Sequence, residues 1–487
     1  MSIALDKLRT WITADNPRTA MSGVIFVALL AGILVGALFG SLGPIIAIGL
    51  IAALTVGILM LRSTQVGLFA LVALICLLPY GALPFTIGFR PTFLDLALAS
   101  LFGVWALRLI TGQQRTFISS PLGMLIFIFQ GWALFIFIFG LRYGGLNVTV
   151  ARNFLEVLLS VSLFFLVINQ VKTVAALNQL SQIIIVAGGA AAGLGIFFYV
   201  IPENWTVQLL SLLRVFQYPT EGILRYIEDD PEQPMRAIST SIDPNALGGL
   251  LVFLTIITVA HLLAARPIMP RRYLSLMSGL MLACLYLTYS RGSLLGVVAG
   301  LGLMSLLRYR KLIWLMLVAA ILVAVLPQTQ LYVERFVEGI QGEDLATQMR
   351  FGEYKDAFNL IERYPLTGVG FFGTPDIDVY VGVSSVYLLL AQQVGLIGAG
   401  LYVLVGVTYI VVILMTLPRL PKGHPLEAPL LGYGFAILGA MVGGVFDHFY
   451  FNLTFIHIAA LYWLVMGLGT AAVLLSRAEA VAREHQQ

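Results

Sequence analysis

Long apolar runs, separated by polar connections, extend along almost the whole chain. A helix needs about 20 apolar residues to cross the roughly 30 Å hydrocarbon core of a bilayer. The candidate runs begin near Met21, Gly43, Val66, Phe93, Pro121, Phe154, Leu180, Ala246, Tyr273, Ser293, Leu312, Leu388, Pro429 and Phe455. This pattern predicts an all-α, polytopic membrane protein with about 12 to 14 spans, in which residues 1–487 form a single transmembrane domain.

Two connections are much longer than the others. They cover about residues 202–245 and 328–383, and they contain many of the acidic residues. Within them, residues 207–215 and 330–340 have apolar positions at helical spacing, which is typical of amphipathic helices that lie on a membrane surface. We therefore expect two long loops, each with a surface helix.

The basic residues give the orientation of the predicted spans. Lysine and arginine next to a span are retained in the cytoplasm. With the N-terminus inside, most of the 28 basic residues fall in cytoplasmic segments, and the short turns on the other side keep only Arg90, Arg142, Arg152 and Arg291. We expect both termini to be cytoplasmic and both long loops to be extracytoplasmic.

Composition agrees with a membrane protein and excludes several classes of function. Hydrophobic residues make up 59% of the chain and charged residues 11%, whereas a soluble domain has about a quarter charged residues. Only Cys76 and Cys284 are present, both inside apolar runs, which argues against a disulfide framework or a thiolate metal site. The histidines are dispersed, so we expect no metal or other cofactor. The basic residues are dispersed as well, and we expect no nucleic-acid partner.

Arg291 is the first candidate for chemistry. It lies in a turn between apolar helices predicted over residues 273–288 and 293–307, and helices of that length reach only about 24 Å. Arg291 would then be recessed below the membrane surface, where an arginine needs an anionic partner. Its planar guanidinium suits a phosphate or a carboxylate. The structural alternative is an ion pair with Asp95 or Glu156.

The end of the first long loop contains a second candidate, Arg236. Asp243 or Asn245 can cap the helix that follows, and Pro244 suits its first turn, so these three residues need no functional explanation. Arg236 is not needed for a cap. A binding role and a solvated loop charge both stay open for it.

Asp447 and His448 follow the penultimate apolar run. An aspartate beside a histidine can orient the imidazole or raise its basicity. The next three residues are aromatic, however, and the cluster also fits an aromatic belt at the membrane surface. Both interpretations stay open.

Four segments, in this order, resemble the O-antigen ligase and polymerase superfamily of bacterial membrane glycosyltransferases. They are Arg236 before Asp243-Pro244-Asn245, then Ser290-Arg291-Gly292, then Arg350 with Pro365 and Gly368-Val369-Gly370, and last Tyr387-Leu388 with residues 393–398. The resemblance covers about residues 236–404. The N-terminal half is similar only in being hydrophobic and multi-spanning.

The resemblance implies a C-type membrane fold and an inverting, metal-independent glycosyltransferase of the inner membrane. Such an enzyme moves a glycan from an undecaprenyl-diphosphate carrier to lipid A-core or to another carrier-linked glycan, at the outer face. Arg236 and Arg291 would hold the diphosphate. Arg350 and Tyr387 match family segments and are further candidate substrate-binding residues.

One departure from the family pattern concerns the catalytic base. The family has His-Asn before the aromatic-Leu pair, whereas this chain has Ser384-Ser385. Serine does not act as a base near neutral pH. The candidates to replace the histidine are Asp447, His448, Asp376 and Asp378, which lie on the same predicted face as Ser384. Two other functions stay open, namely a flippase for lipid-linked oligosaccharides and a catalytically inactive scaffold subunit.

Overall fold

The computed structural model describes residues 10–11, 13, 16–86, 88–219, 222–374 and 382–484. Over these residues the chain is helical, with short 3-10 turns and two isolated β-bridges. The α-helices are α1 Pro17–Leu42, α2 Pro44–Arg62, α3 Thr64–Leu77, α4 Phe93–Ile110, α5 Pro121–Gly140, α6 Val148–Gln170, α7 Val174–Val200, α8 Glu203–Ser211, α9 Pro244–Leu263, α10 Arg271–Leu287, α11 Arg291–Leu307, α12 Lys311–Val325, α13 Gln330–Gln341, α14 Leu345–Arg363, α15 Val386–Thr416, α16 Glu427–Gly443 and α17 Ile456–Glu484.

The helices confirm the all-α, polytopic class, and each predicted apolar run coincides with one of them. Among the described residues, seven helices are long and apolar enough to cross a membrane unaided, or eight if α12 and the helices after its bend count as one span. Others, such as α10 and α11 with 17 residues each, are shorter. The figure of 12 to 14 spans therefore stays a prediction.

The long connections also contain helices. In the first, α8 at Glu203–Ser211 begins four residues before the predicted surface helix and is followed by a 3-10 turn. In the second, α13 lies where a surface helix was predicted. The sequence did not predict α14, which has 19 residues. Only Ala357 and Leu360 of α14 are buried, so its apolar stripe is too narrow to stand out in the sequence.

The chain divides into two units, residues 1–62 and residues 63–487. The first unit consists of α1 and α2, which meet at Gly43. The second unit contains all the other helices. In it, residues 201–243 and 326–385 join helices at the same end, which we call the loop face. We call the opposite end the basic face.

The core of the second unit is built around α9 and the part of α17 up to Val473, which are almost entirely buried. α9 packs against α10 and α16, and α17 packs against α6 and α16. α11 and α16 approach closely, since a methyl group added to Gly296 would lie 2.6 Å from the carbonyl oxygen of Gly439. Small residues permit such backbone contact between membrane helices. The contact brings Arg291, at the start of α11, beside the residues that follow α16.

The start of α9 confirms the capping role of Asp243. Its carboxylate accepts a hydrogen bond from the backbone N–H of Ala246 at 2.8 Å, and Pro244 occupies the first turn. A cap of this kind satisfies a backbone donor that the helix leaves free.

α15 is interrupted at Gly395, where φ is 70° and ψ is 176°. The break leaves carbonyl groups without intrahelical donors, and the segment after α14 supplies donors for two of them. The N–H groups of Val369 and Gly370 donate to the carbonyl oxygens of Gln392 and Gln393 at 2.8 and 2.9 Å. The Gly-Val-Gly sequence is thus a docking segment for a broken helix, and it ties the end of α14 to α15.

Replacement of Gly395 by alanine is expected to destabilise the fold by about 3 kcal/mol or more, because only glycine adopts this φ and ψ without strain. The new methyl group would also lie 2.0 Å from the carbonyl oxygen of Leu366. Thermal unfolding of the purified protein in detergent measures the effect. The control is Gly400→Ala in the same helix, where a methyl group meets nothing within 4 Å. Equal unfolding temperatures for the two variants would contradict this account of the break.

Candidate functional site

Four arginines line one cavity of about 200 Å³ on the loop face. They come from four different elements, and they are Arg236 before α9, Arg291 at the start of α11, Arg335 on α13 and Arg350 on α14. The two acidic residues in the wall are Glu228 and Asp229. The structure therefore brings Arg236, Arg291 and Arg350, which the sequence singled out separately, to a single place.

Arg236 is held in this wall by neutral partners. Its Nε donates to the carbonyl oxygen of Thr288 at 2.8 Å, and its Nη2 donates to the amide oxygen of Asn245. Burial lowers the pKa of Arg236 to about 10, although the negative charges of Asp243 and Asp447 act to raise it. The guanidinium stays protonated at neutral pH, and its position is fixed without a carboxylate in direct contact.

Arg291 forms an ion pair with Asp344, the N-cap residue of α14. Its Nη1 also donates to the carbonyl oxygen of Arg335 at 2.7 Å. The alternative ion pair with Asp95 or Glu156 is wrong. Both of those carboxylates contact Arg152, at 2.6 and 3.0 Å, because Arg152 lies one helical turn before Glu156 on α6.

The other two arginines differ in their partners. Arg335 forms an ion pair with Glu228 at 3.3 Å. Arg350 makes no ion pair or hydrogen bond with any residue that the structure describes. The cavity thus presents two guanidinium groups, those of Arg236 and Arg350, that have no carboxylate partner in the described part of the chain.

The backbone of the cavity wall is strained. Tyr289, Glu228 and Asp229 have φ values of 52°, 59° and 56°, in the left-handed region that costs a non-glycine residue about 1–3 kcal/mol. The ring of Tyr289 stacks on that of Tyr332 with centroids 5.7 Å apart, which helps to hold this turn. Strain of this kind is typical of functional sites.

A second cavity of about 230 Å³ adjoins the first and shares Arg291 and Arg350 with it. Its wall is otherwise largely apolar and includes Leu295, Phe336, Ile340, Phe351, Tyr354 and Phe446. The polar and apolar cavities therefore meet at two arginines, which suits a ligand with an anionic head and an apolar chain.

Asp447 lies beside the arginines. It is 7% exposed, and in the described residues its carboxylate has no hydrogen-bond partner. A methyl group on Gly292 would lie 3.5 Å from its Oδ2. Burial raises the pKa of Asp447 to about 7, although Arg350 and Arg236 favour the charged form. Its carbonyl oxygen accepts from the N–H of Val386 at 3.0 Å, which places Asp447 next to Ser384-Ser385.

The remaining predicted site residues have different surroundings. Ser384 donates its backbone N–H to Oε2 of Glu353 at 2.8 Å. Nδ1 of His448 lies 3.1 Å from Nδ2 of Asn452, and burial lowers the pKa of His448. The hydroxyl of Tyr387 donates to the carbonyl oxygen of Met441 at 2.6 Å, away from either cavity. Asp376 and Asp378, two predicted candidates for the base, lie outside the described residues.

Sequence reasoning missed three residues of the site, namely Arg335, Asp344 and Glu353. Arg335 and Glu353 lie on surface helices, where charged residues are usual. The sequence could have indicated a structural role for Asp344, since an aspartate before a helix is a candidate N-cap residue. That it also neutralises Arg291 depends on tertiary contact and is not visible in the sequence.

Replacement of Asp344 by asparagine is expected to destabilise the protein by about 1–3 kcal/mol, because Arg291 loses its counter-charge while the cap is kept. Burial alone would raise the pKa of Asp344, but hydrogen bonds from Arg291 and Thr347 make it lower than usual. The stabilisation is thus complete above about pH 4, the usual pKa of aspartate, and is lost as the pH falls through the lowered value.

Thermal unfolding of wild type and Asp344→Asn at several pH values measures this effect. The difference between the two proteins should be full at neutral pH and should shrink in acid. Glu343→Gln, an exposed neighbour, is the matched control and should unfold like wild type. A difference that does not depend on pH would contradict an ion-pair origin.

Comparison with known proteins agrees with the segment resemblance. A family model described as O-Antigen ligase matches residues 276–403, which include Arg291, Asp344, Arg350 and Ser384. No curated protein matches the chain. The matched region runs from within α10 into α15 and therefore contains α11, α13 and α14, which carry three of the four cavity arginines. The chain is thus a polytopic membrane protein in which residues 276–403 are similar to the O-antigen ligase family.

Proposed function

We propose that this protein transfers a glycan from an undecaprenyl-diphosphate carrier to a hydroxyl group of a lipid- or glycan-linked acceptor. The observation that carries the proposal is the convergence of Arg236, Arg291 and Arg350 on one cavity that continues into an apolar one. In this proposal the loop face is the outer face of the inner membrane, and both termini are cytoplasmic.

The charges of the polar cavity suit a diphosphate. A diphosphate diester carries two negative charges, and Arg236 and Arg350 are two guanidinium groups without a carboxylate partner among the described residues. Guanidinium groups bind phosphate oxygens with paired, charge-assisted hydrogen bonds. Arg291 lies between the two cavities and is available to the diphosphate once Asp344 is displaced.

The apolar cavity suits the carrier's polyprenyl chain. It begins at Arg291 and Arg350 and runs between α11, α13 and α14. A carrier lipid with its diphosphate on the arginines would place the first isoprene units against Leu295, Phe336 and Ile340. Burial of these units contributes roughly 25 cal/mol per Å² of apolar surface.

Asp447 is our choice for the base that replaces the family histidine. It lies next to Ser384-Ser385, where the family has His-Asn, and its pKa of about 7 is suited to proton transfer near neutral pH. Glu353 is the second carboxylate at this place, since it accepts the backbone N–H of Ser384. His448 is turned towards Asn452 and is the weaker candidate.

The reaction would be a direct displacement at the anomeric carbon. Asp447 accepts the proton of the acceptor hydroxyl, the oxygen forms the new glycosidic bond, and the bond from the anomeric carbon to the diphosphate breaks with inversion. The arginines stabilise the charge that develops on the leaving diphosphate. Because guanidinium groups supply this charge, we propose that the displacement needs no metal ion.

Replacement of Arg236 or Arg350 by glutamine is expected to weaken binding of undecaprenyl diphosphate roughly 10- to 100-fold, the range for loss of one hydrogen-bonded charge. Binding to the purified protein in detergent measures this directly and does not require the acceptor. Arg214→Gln is the matched control, since Arg214 is exposed on the same loop and lines neither cavity. Its affinity should stay within about twofold of wild type.

Equal affinities for wild type and the two cavity variants would contradict the donor site. Undecaprenyl phosphate is the ligand control, because it has the same chain with a smaller anionic head. Equal affinity for the two ligands would mean that the protein recognises the polyprenyl chain and not the diphosphate.

Replacement of Asp447 by asparagine is expected to lower glycan transfer about 100-fold or more, the usual contribution of a general base. In wild type kcat/KM should rise with pH through about 7, because the base must be deprotonated. The assay uses a glycan-loaded undecaprenyl-diphosphate donor, with lipid A-core and a second carrier-linked glycan as parallel acceptors.

Glu353→Gln is the comparison variant and should keep both the rate and the pH profile. If Glu353→Gln abolishes transfer while Asp447→Asn does not, the base is Glu353 and the assignment of Asp447 is wrong. Wild-type protein that binds the carrier but transfers to neither acceptor would favour the scaffold subunit.

A further inference from the structure

The basic face contains a second polar cavity, of about 340 Å³, far from the arginines of the loop face. It lies between the α4–α5 loop and the α6–α7 turn. The 27 residues of α7 separate it from the loop face, which corresponds to about 40 Å along the helix. The residues that line it are Arg108, Gln113, Gln114, Arg115, Thr116, Asn169, Gln170 and Lys172.

The charged residues in the described wall of this cavity are all basic. Arg108, Arg115 and Lys172 contribute three positive charges, and the described residues in its wall include no acid. Arg115 and Lys172 are exposed, so their side chains are free to approach a ligand. Three cations around one concave surface produce a positive potential that attracts an anion.

The floor of the cavity is built from the buried amide of Asn169 and the partly buried amides of Gln114 and Gln170. The Oδ1 of Asn169, a residue 1% exposed, accepts the N–H of Ile118 at 2.7 Å, and its Nδ2 donates to the carbonyl oxygen of Ile118 at 3.1 Å. The Oε1 of Gln114 accepts from Nε2 of Gln170 at 2.9 Å. These bonds fix the α4–α5 loop, and with it Arg115, against the end of α6.

Aromatic rings extend from the cavity towards the lipid side. Nε1 of Trp105 donates to Oε1 of Gln114 at 3.2 Å, and the ring of Trp105 stacks on Phe117 with centroids 6.1 Å apart. Phe117 in turn stacks on Phe165 at 6.3 Å and is 54% exposed. Tryptophan with a satisfied N–H beside exposed apolar rings is typical of the depth at which lipid head groups meet acyl chains.

We propose that this cavity binds the head group of an anionic phospholipid. The phosphate would lie among Arg108, Arg115 and Lys172, and the acyl chains would run along Phe117 and the exposed Ile110 of α4. Basic pockets between membrane helices take anionic head groups in this way. The inference does not depend on the proposed glycan transfer.

The same chemistry would attract a soluble phosphate ester, but the aromatic rings favour the lipid. A soluble anion gains nothing from Phe117 and Ile110, whereas a phospholipid buries its chains against them. The lipid is therefore our choice, and the soluble anion becomes one arm of the test.

The test measures binding of phosphatidylglycerol and phosphatidylcholine to the full-length protein in detergent, by native mass spectrometry. The variant is Arg115→Gln with Lys172→Gln. The matched control is Arg310→Gln with Lys311→Gln, two exposed residues on the same face that do not line the cavity. Each charge removed from the cavity should weaken binding of phosphatidylglycerol about fivefold, so the double variant should lose about 25-fold.

Three results support the proposal together: wild type prefers phosphatidylglycerol, the cavity variant loses that preference, and the control keeps it. Arg115→Lys with Lys172→Arg retains the charges and should bind like wild type, which separates loss of binding from loss of folding. Equal binding by the cavity and control variants would overturn the site. Displacement of phosphatidylglycerol by millimolar glycerol 1-phosphate would overturn the assignment to a lipid.

Discussion

The break of α15 at Gly395 is the constraint on which the loop-face site depends. A backbone carbonyl without a donor is costly inside a membrane protein, and here the segment after α14 supplies the donors for Gln392 and Gln393, while the indole of Trp132 donates to Val394 at 2.8 Å. These bonds fix the C-terminal end of α14. Because α14 carries Arg350 and Glu353, the repair of a broken helix also determines where two polar site residues lie.

The distribution of counter-charges separates structural arginines from candidate binding arginines. Arg152 faces Asp95 and Glu156 and is fully neutralised, and Arg308 pairs with Glu427 at 2.7 Å on the basic face. Arg236 instead has a carbonyl and an amide as partners. An arginine fixed by neutral groups keeps its charge for a ligand, at the cost of a less stable apo state.

The sequence predicted the helices well because apolar runs of bilayer length have few alternative structures. It also placed Arg236 and Arg291 on one face, since the positions of basic residues define the topology. The partner of Arg291 was not predictable, because Asp344 is 53 residues away and reaches it only through the fold of α13 and α14. The Arg152–Glu156 pair, four residues apart on α6, was visible in the sequence, and it would have removed Glu156 from consideration as that partner.

Because Asp344 forms an ion pair with Arg291, any anionic ligand of Arg291 must compete with a carboxylate of the protein itself. The fold of the chain holds the carboxylate of Asp344 beside Arg291, so this carboxylate acts at an effective concentration that the structure sets. A free anion must exceed that concentration, weighted by affinity, before it occupies Arg291. Small free monoanions would then be excluded by mass action alone. A ligand with two charges and a long apolar anchor in the bilayer would gain access.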